Sequence, residues 1–240
     1  MSVSEAVSES RMEDVCSQIY EAATALFELQ QIIELRVLFT NRRIDSGYFN
    51  DHRLLAENAS HYDQDDGVKG IFWTLNPVRA ECFERAPNKM RISVSGSKGE
   101  RTTGDQDILE RRLILIDIDP VRESGVSSTQ AELDAAQNKT SAVAEFLTSK
   151  GWEAPWYGMS GNGCHLLYET QLPNDRDSGG QIKKCLEALS RRFDDDLVKV
   201  DTSVSNAARI CKVYGTVARK GDNTEERPHR RSQFLGKMEV

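Results

Sequence analysis

The sequence contains few of the features that mark a membrane, secreted or disulfide-stabilised protein. Its five cysteines are scattered and include no C-x-x-C pair, which argues against a disulfide framework and against a structural zinc site. The longest strongly apolar run covers residues 113–116, whereas a membrane-spanning helix needs roughly 18 or more apolar residues. Residues 1–10 are polar and lack the apolar core of a secretory signal. We therefore expect a cytoplasmic protein with reduced cysteines and no membrane partner.

The composition also excludes collagen-like, repetitive and disordered chains. Aromatic residues make up 7% of the sequence, prolines number six, and no internal repeat is visible. Apolar residues are 38% and charged residues 29% of the 240, which are proportions typical of globular proteins. This length suits one large domain or two small ones with a buried core.

The charge is distributed unevenly along the chain. A net charge of -7 is unusual for a protein that binds nucleic acid. However, residues 209–240 hold eight basic and four acidic side chains, so this segment is positive and the rest of the chain is strongly negative. A basic segment beside an acidic body could serve an anionic ligand, or it could simply be a solvated charged end.

Hydrophobic spacing predicts one long helix in the first part of the chain. Apolar residues spaced by three and four predict this helix over residues 12–33, after a flexible N-terminus at residues 1–11. Short strands and loops follow up to residue 110. The predicted strands cover residues 35–39 and 70–75, and the predicted loops cover residues 43–50 and 77–108.

Residues 111–201 carry a sharper pattern. The first strand is apolar on both faces, as a covered central strand is, and ends at Pro120. Thr129 and Glu132 form a capping box that begins a helix. The remaining elements are strands at 156–159, 165–168 and 197–200 and a second helix opened by Ser178. This β-α-β-β-α-β order is that of ferredoxin-like and RRM-like modules.

Two acidic residues interrupt the apolar strand. Asp117 and Asp119 share one strand face, where both carboxylates can reach one pair of hard cations. Acids at the end of an apolar strand are unfavourable unless something offsets their charge, and a divalent metal does so. The alternative interpretation is that both are solvated turn residues before Pro120.

A glycine-containing turn could contact phosphate. The backbone amides of Ser160, Gly161, Asn162 and Gly163 can approach phosphate oxygens, and His165 begins the next strand. A hairpin with a hydrogen-bonded histidine explains the same residues. Both interpretations remain open on the sequence alone.

A third group of polar residues follows the last predicted strand. Asp201 comes directly after it, and the bases Arg209 and Lys220 follow. An acidic residue that binds a metal ion and basic residues that bind phosphate would together form a suitable site for a nucleotide. Asp201 is also explained as a cap or turn residue, and the acidic run at residues 194–196 is interpreted as a solvated turn.

Three segments in this order resemble the primase-polymerase branch of the archaeo-eukaryotic primase superfamily, found in plasmids, phages and CRISPR-associated operons. They are LILIDIDP, SGNGCHLLY and VKVDTSVSNAARICKVYGTVARKG, and the resemblance covers residues 105–231. Upstream of them, the segment GIFWTLNPV is similar to the family's less diagnostic first module. The resemblance implies an α+β (mixed α/β) catalytic core. In it an N-terminal α/β module, about residues 12–110, packs on an RRM-like module, about residues 111–235, with the active-site cleft between them.

The resemblance also implies roles for individual residues. Asp117, Asp119 and Asp201 would hold two divalent ions, Mg2+ or Mn2+. The residues implied to bind the dNTP or NTP are Ser160, Gly161, Asn162, Gly163, His165, Arg209 and Lys220. The implied reaction is template-dependent nucleotidyl transfer to a primer 3′-hydroxyl or an initiating nucleotide, with release of pyrophosphate. Many relatives have D-x-E where this chain has D-x-D, which leaves the metal preference open.

The implied partners are a DNA template and primer, with further domains or a helicase partner outside this chain. The template would lie on a basic surface to which Arg227, Arg230 and Arg231 contribute, and its binding would weaken with salt. An aromatic residue could stack on the base or ribose, although each candidate also suits the core. These candidates are Phe72, Trp73 and Tyr48.

Two other functions fit part of the pattern. A metal-dependent nuclease or phosphodiesterase would use the same aspartates with water as the nucleophile. A non-catalytic RRM-like module would bind single strands by stacking and by basic residues, although the aromatic-rich strands of RNA-binding RRMs are missing. The absence of an H-x-H pair argues against a rolling-circle endonuclease.

Overall fold

The computed structural model of the chain describes residues 3–94 and 101–239, with side chains from Met12 onward. It is a mixed α+β structure with two five-stranded sheets and one two-stranded sheet, in which neighbouring strands run antiparallel. Residues 95–100 of the predicted loop at 77–108 lie outside the described residues. Within the described ranges, no helix is both long and apolar enough to cross a membrane.

The described residues form five α-helices, two short 3₁₀ helices and twelve strands. The helices are α1 (Val3–Leu26), α2 (His52–Asp63), α3 (Ala80–Phe83), α4 (Gln130–Thr148) and α5 (Arg176–Phe193). The first six strands are β1 (Ile33–Phe39), β2 (Ile44–Phe49), β3 (Val68–Thr74), β4 (Lys89–Arg91), β5 (Glu110–Pro120) and β6 (Trp156–Met159). The others are β7 (Cys164–Pro173), β8 (Val198–Val200), β9 (Ile210–Lys212), β10 (Val217–Ala218), β11 (Arg230–Arg231) and β12 (Gln233–Lys237).

The second five-stranded sheet contains the predicted β-α-β-β-α-β elements in their predicted order. Its strand order is β12-β6-β7-β5-β8, so the apolar strand β5 is covered on both edges. Helices α4 and α5 pack on one face of this sheet through buried residues such as Val143 and Leu186. The opposite face carries Leu115 and Asp117.

The first five-stranded sheet is completed by the C-terminal part of the chain. Its strand order is β4-β2-β1-β3-β9. After β8, a 3₁₀ helix at Thr202–Ser205 leads the chain across to β9, which pairs with β3, and β12 later returns to the second sheet. The two sheets therefore do not divide the chain at a single boundary near residue 110.

The first predicted helix differs from the observed one at both ends. The backbone is helical from Val3, earlier than the predicted start at residue 12. Helix α1 ends at Leu26, and Gln30 adopts a positive φ of 64° in the turn that follows. Leu29 is therefore 85% exposed, and Ile33 begins β1 instead of ending the helix.

The prediction of a loop at residues 43–50 was wrong, because β2 occupies most of that segment. Its polar residues made it look like a loop, but they are buried with partners. Asp45 accepts a hydrogen bond from the Tyr62 hydroxyl at 3.0 Å, and Ser46 donates one to Glu34 at 2.5 Å. Buried polar groups with partners break the hydrophobic pattern of a strand without breaking the strand.

Predictions from local sequence patterns were more accurate in the second sheet than for α1 and β2. The Thr129–Glu132 capping box is confirmed, since Thr129 Oγ1 accepts from the Glu132 amide and Glu132 accepts from the Thr129 amide. Strand β6 has the predicted bounds. Helix α5, however, is capped by Asp175, whose carboxylate accepts from the amide of Ser178 at 2.8 Å. Ser178 thus lies inside the helix that it was predicted to open.

Candidate functional site

A pocket of about 200 Å³ lies between the two five-stranded sheets. Side chains of β3 form one wall, and side chains of β5 and β7 form another. The residues that matter most for its chemistry are Phe72, Asp117, Asp119, His165, Lys212 and Lys220. The pocket therefore brings together predicted site residues that are up to about 150 positions apart in the sequence.

Asp117, Asp119 and Asp201 approach one another because β5 and β8 are neighbours. The Asp201 amide donates a hydrogen bond of 2.8 Å to the Asp117 carbonyl oxygen, directly after the paired residues of the two strands. Burial raises the pKa of Asp117 well above its usual value, and the Asp119 and Asp201 carboxylates raise it further. Lys220 and Arg209 act in the opposite direction. Negative charge is thus concentrated at this end of the pocket.

The carboxylates have the chemistry of a divalent-metal site but not its assembled geometry. Carboxylate oxygens are the ligands that Mg2+ and Mn2+ prefer. Asp201 Oδ1 accepts from the Ser203 amide at 2.8 Å, and Asp119 Oδ1 is 3.4 Å from Arg122 Nη1. Among the described residues, no three His, Cys, Asp or Glu side chains are positioned together as metal ligands. The donor types fit such a cation, and its binding is a proposal.

His165 is held in a buried polar cluster next to Asp117. The two residues are paired across β5 and β7, and His165 Nε2 lies 3.5 Å from Asp117 Oδ1. On the other side of the ring, Nδ1 lies 2.9 Å from the Tyr214 hydroxyl and 3.3 Å from Cys211 Sγ. Burial lowers the pKa of His165, but Cys211 and Asp119 outweigh it, so the pKa is raised overall.

Tyr214 is a site residue that sequence analysis did not assign. It is fully buried, and its ring packs against Gly158, where any side chain would collide with it. The hydroxyl group fixes one ring nitrogen of His165 and leaves the other facing Asp117. The only sequence signal was a tyrosine directly after Val213, in a segment that mixes apolar and polar residues, and such a tyrosine is also typical of a core residue.

The predicted phosphate-binding turn is held together largely by its own hydrogen bonds. The Ser160 hydroxyl oxygen accepts from the amides of Asn162 and Gly163, at 3.4 and 3.0 Å. The Asn162 side chain accepts from the Ser128 amide at 2.8 Å, which ties the turn to the start of α4. The Gly161 amide donates only to the Met159 thioether, a weak acceptor. In the structure these amides form hydrogen bonds within or next to the turn. A phosphate contact by them is a proposal.

The glycines of this turn have specific reasons to lack a side chain. Gly161 adopts a φ of 98°, in the left-handed region that favours glycine. A Cβ atom on Gly163 would lie 2.5 Å from Asp119 Oδ1 and 2.6 Å from the carbonyl oxygen of Ile118. Gly163 therefore allows the turn to lie directly against the carboxylate strand.

Basic side chains line the pocket or lie close to it. Within the described residues, the amino group of Lys220 makes no hydrogen bond or ion pair, although the residue lines the pocket. Arg209 donates to the carbonyl oxygen of Ser203 at 2.5 Å and is half-buried. Lys69 is exposed, lines the same pocket and was not predicted. Positive charge here faces the carboxylates across a small volume.

The three arginines expected on a DNA-binding surface are engaged within the protein. Arg227 forms a two-point ion pair with Glu132, at 2.8 and 2.9 Å. Arg230 donates to the carbonyl oxygen of Ser128 at 2.5 Å, and Arg231 pairs with Asp63 at 2.7 Å. These contacts attach the C-terminal segment to α2 and α4, so part of its positive charge is structural.

Of the three aromatic candidates, only Phe72 faces the pocket. Trp73 and Tyr48 are fully buried core residues. The Phe72 ring folds over Gly70, whose Cβ would lie only 2.9 Å from it, and is half-exposed. Its position follows from the alternation of side chains along β3, which places neighbouring residues on opposite faces.

Comparison with known proteins shows the fold. The sequence matches no protein-family model and no curated protein. The structure is similar to the crystal structure of primase RepB', with a TM-score of 0.51 and 10% identity, over 93% of this chain and 56% of that chain. It is also similar to the polymerase domain from Mycobacterium tuberculosis ligase D in complex with DNA (TM-score 0.48, 11% identity, 91% of this chain and 80% of that one). This chain spans just over half the length of the RepB' chain and shares its overall fold.

Proposed function

We propose that this chain is a template-dependent DNA primase-polymerase of the archaeo-eukaryotic primase superfamily. It would transfer a nucleotidyl group from a dNTP or NTP to a primer 3′-hydroxyl or an initiating nucleotide and release pyrophosphate. The observation that carries this proposal is the meeting of Asp117, Asp119, His165 and Lys220 around one pocket, with Asp201 held next to Asp117 by a main-chain hydrogen bond. The fold shared with a solved primase supports it.

Asp117, Asp119 and Asp201 would hold the divalent ions. Mg2+ or Mn2+ bound there would activate the 3′-hydroxyl and stabilise the charge on the α-phosphate and the leaving pyrophosphate. The chain itself supplies the placement of these carboxylates, because β5 and β8 hold them through main-chain hydrogen bonds. Bound cations would also offset the repulsion that raises the pKa of Asp117.

The triphosphate would lie between the turn and the cations. Lys220 and Arg209 would neutralise its negative charge, and the turn formed by residues 160–163 would limit its position. His165 would donate a hydrogen bond from the nitrogen that faces Asp117, with the ring orientation set by Tyr214. Phe72, on the wall opposite the carboxylates, would stack against the base or the ribose.

The template and primer would approach the open side of the pocket, next to the exposed Lys69. DNA affinity should therefore fall steeply with salt concentration. The structural likeness covers only part of the RepB' chain, so further domains or a helicase partner outside this chain are compatible with the proposal.

Extension of a labelled primer on a 5′-tailed template tests this function. The reaction would contain dNTPs or NTPs with Mg2+ or Mn2+, and the inactive variant would combine Asp117→Asn with Asp119→Asn. Metal-dependent lengthening that this variant loses is the expected result. Shortening of the strand would indicate a nuclease instead, and DNA binding without any reaction would indicate a binding module. Either result would overturn the proposal.

A further inference from the structure

A second pocket lies on the opposite face of the sheet that carries the carboxylates. It has a volume of about 390 Å³, within the range of small-molecule sites. It opens between α5, the loop after α4 and the end of β7. Its apolar lining includes Ile114, Trp152, Tyr168, Leu172, Ile182 and Cys185.

Alternation along the strands separates this pocket from the nucleotide site. Ile114 and Asp117 are both on β5 but face opposite sides of the sheet, and the same is true of Tyr168 and His165 on β7. Ile114 and Tyr168 are directly paired across the two strands. A ligand in the second pocket would therefore not occupy the space of a nucleotide.

One residue that lines the second pocket carries a buried polar group without a partner. Tyr168 is 4% exposed, and its hydroxyl group has no hydrogen-bond partner among the described residues. Its ring is fixed by an edge-to-face contact with Trp152, with the ring centroids 4.9 Å apart. A buried hydroxyl without a partner is unfavourable, and a ligand that offers an acceptor would remove that penalty.

The charges at the rim limit the kind of ligand. Glu153 and Glu169 carry negative charge there, and Lys237 is 3.3 Å from Glu169 and already paired with it. The rim thus has an excess of negative charge and would repel a phosphate or a carboxylate. The nucleotide pocket, which is lined by basic side chains, would instead attract a phosphate group.

We infer that this second pocket binds a neutral, flat, mostly apolar ligand that carries one hydrogen-bond acceptor, such as a carbonyl group or a ring nitrogen. The aromatic and aliphatic lining would contact the faces of the ligand. The Tyr168 hydroxyl would donate to its acceptor. This site is independent of the proposed nucleotidyl transfer.

Two probes of similar shape test the acceptor requirement. Acetophenone has a carbonyl acceptor, whereas ethylbenzene has the same ring without one. Each is titrated into the ¹⁵N-labelled full chain while the indole N–H signal of Trp152 is followed by NMR. Acetophenone should bind about three- to tenfold more tightly, the ratio expected for one net hydrogen bond. Tyr168→Phe should reduce acetophenone affinity to that of ethylbenzene and leave ethylbenzene unchanged.

Filling the second pocket with a larger side chain tests whether the probes bind there. Cys185→Phe adds a ring to the lining and should abolish binding of both probes, whereas Cys16→Phe, at a half-buried cysteine on α1, should preserve it. Thermal melts verify that both variants are folded. The Asp117→Asn/Asp119→Asn variant should bind both probes like the wild type. The inference is overturned if neither probe shifts the Trp152 signal, if Tyr168→Phe weakens both equally, or if folded Cys185→Phe still binds.

Discussion

The amide of Asp201 donates a hydrogen bond of 2.8 Å to the carbonyl oxygen of Asp117. This bond extends the pairing of β8 with β5, so the main chain fixes the positions of two of the three clustered carboxylates. Burial, and to a smaller extent the Asp119 and Asp201 carboxylates, raise the pKa of Asp117, so an ionised carboxylate at this position is unfavourable for stability. Removing one of these charges should therefore affect activity and stability in opposite directions.

The first prediction concerns Asp117→Asn, which keeps the shape of the side chain and removes its charge. Nucleotidyl transfer should fall by about 100-fold or more, as when one preorganised charge-stabilising group is lost. The melting temperature in metal-free buffer should rise by roughly 2–4 °C, as expected for about 1 kcal/mol in a chain of this size. Primer extension and thermal melts at pH 8 measure the two effects.

Asp196→Asn is the matched control, because this acid is exposed and lies in the acidic run interpreted as a solvated turn. It should change neither the extension rate nor the melting temperature. A loss of stability in Asp117→Asn would show that its carboxylate is a structural partner. Full activity in that variant would remove Asp117 from the catalytic group.

A pair of glycines tests the close contact between the turn and the carboxylate strand. Gly163→Ala would place a methyl group 2.5 Å from Asp119 Oδ1 and 2.6 Å from a backbone oxygen, so the turn or β5 must shift. Overpacking of this kind costs about 1–3 kcal/mol. The shift should also lower nucleotidyl transfer, because it displaces a proposed ligand of the metal.

Gly180→Ala, in helix α5, is the control for the glycine substitution. Apart from its chain neighbours and the backbone of its own helix, no described residue has an atom within 4 Å of a Cβ built at this position. Alanine favours a helix more than glycine does, so the variant should be more stable by about 0.5–1 kcal/mol and equally active. Urea unfolding compares the two variants, and equal losses of stability in both would contradict the contact argument.

Arg227 is predicted to be a structural residue and not a DNA contact. It forms a two-point ion pair with Glu132, the acid of the α4 capping box. Arg227→Ala should lower the melting temperature, and combining it with Glu132→Gln should cost less than the two single effects together. Because the guanidinium is engaged, the salt dependence of DNA binding should not change.

Lys69→Ala provides the contrast for DNA binding. Lys69 is exposed at the proposed entry to the pocket. If it contacts a phosphate, its loss should reduce the slope of log affinity against log salt by about 0.7–0.9. Fluorescence anisotropy at several salt concentrations measures this slope. A reduced slope in Arg227→Ala, with none in Lys69→Ala, would move the DNA surface to the C-terminal segment.

The sequence predicted best those features that depend on neighbouring residues. The Thr129–Glu132 capping box, the bounds of β6 and the end of β5 at Pro120 all follow from local hydrogen bonding or dihedral restrictions. The placement of Asp117 and Asp119 on one face follows from the period of a strand. Each of these needs only a few consecutive residues to be recognised.

The remaining features depend on contacts between distant segments. Strand β9 joins the first sheet, and Tyr214 reaches His165 from there, which no local pattern specifies. Strand β2 was missed because Asp45 is buried with partners, the Tyr62 hydroxyl and the Ser93 amide, that come from elsewhere in the chain. The ion pair of Arg227 with Glu132 could not be anticipated because the two residues are almost one hundred positions apart. Long-range pairing of this kind is visible only in three dimensions.

The last prediction concerns Lys212, whose side chain is buried beside the candidate site. The residue is 4% exposed, and its amino group donates to the Val217 carbonyl oxygen at 2.8 Å. Burial lowers the pKa of Lys212 to about 7, Asp63 opposes this shift, and the cations Arg219 and Arg231 add to it. In the unfolded chain the pKa returns to its ordinary value of 10.5.

The sign of the pH effect follows from proton binding in the two states. Below pH 7 both states carry the proton, and the cost of burying the ammonium group is fully present. Between about pH 7 and 10.5 the unfolded chain binds more protons than the folded protein, so the free energy of unfolding should rise with pH. Within this pH range, Lys212 should raise the free energy of unfolding by up to roughly 1.4 kcal/mol per pH unit.

Lys212→Met should remove this contribution and be more stable than the wild type at pH 7, with the difference shrinking as the pH rises. Urea unfolding at pH 7, 8 and 9 measures the difference between the two proteins, so that other titrating groups cancel. Lys199→Met is the control, because this exposed lysine on β8 keeps its ammonium group in water when the chain folds. A constant difference between wild type and Lys212→Met at all three pH values would mean that Lys212 stays charged in the folded protein. Its buried ammonium group would then have to be stabilised by Asp63 and the Val217 carbonyl oxygen.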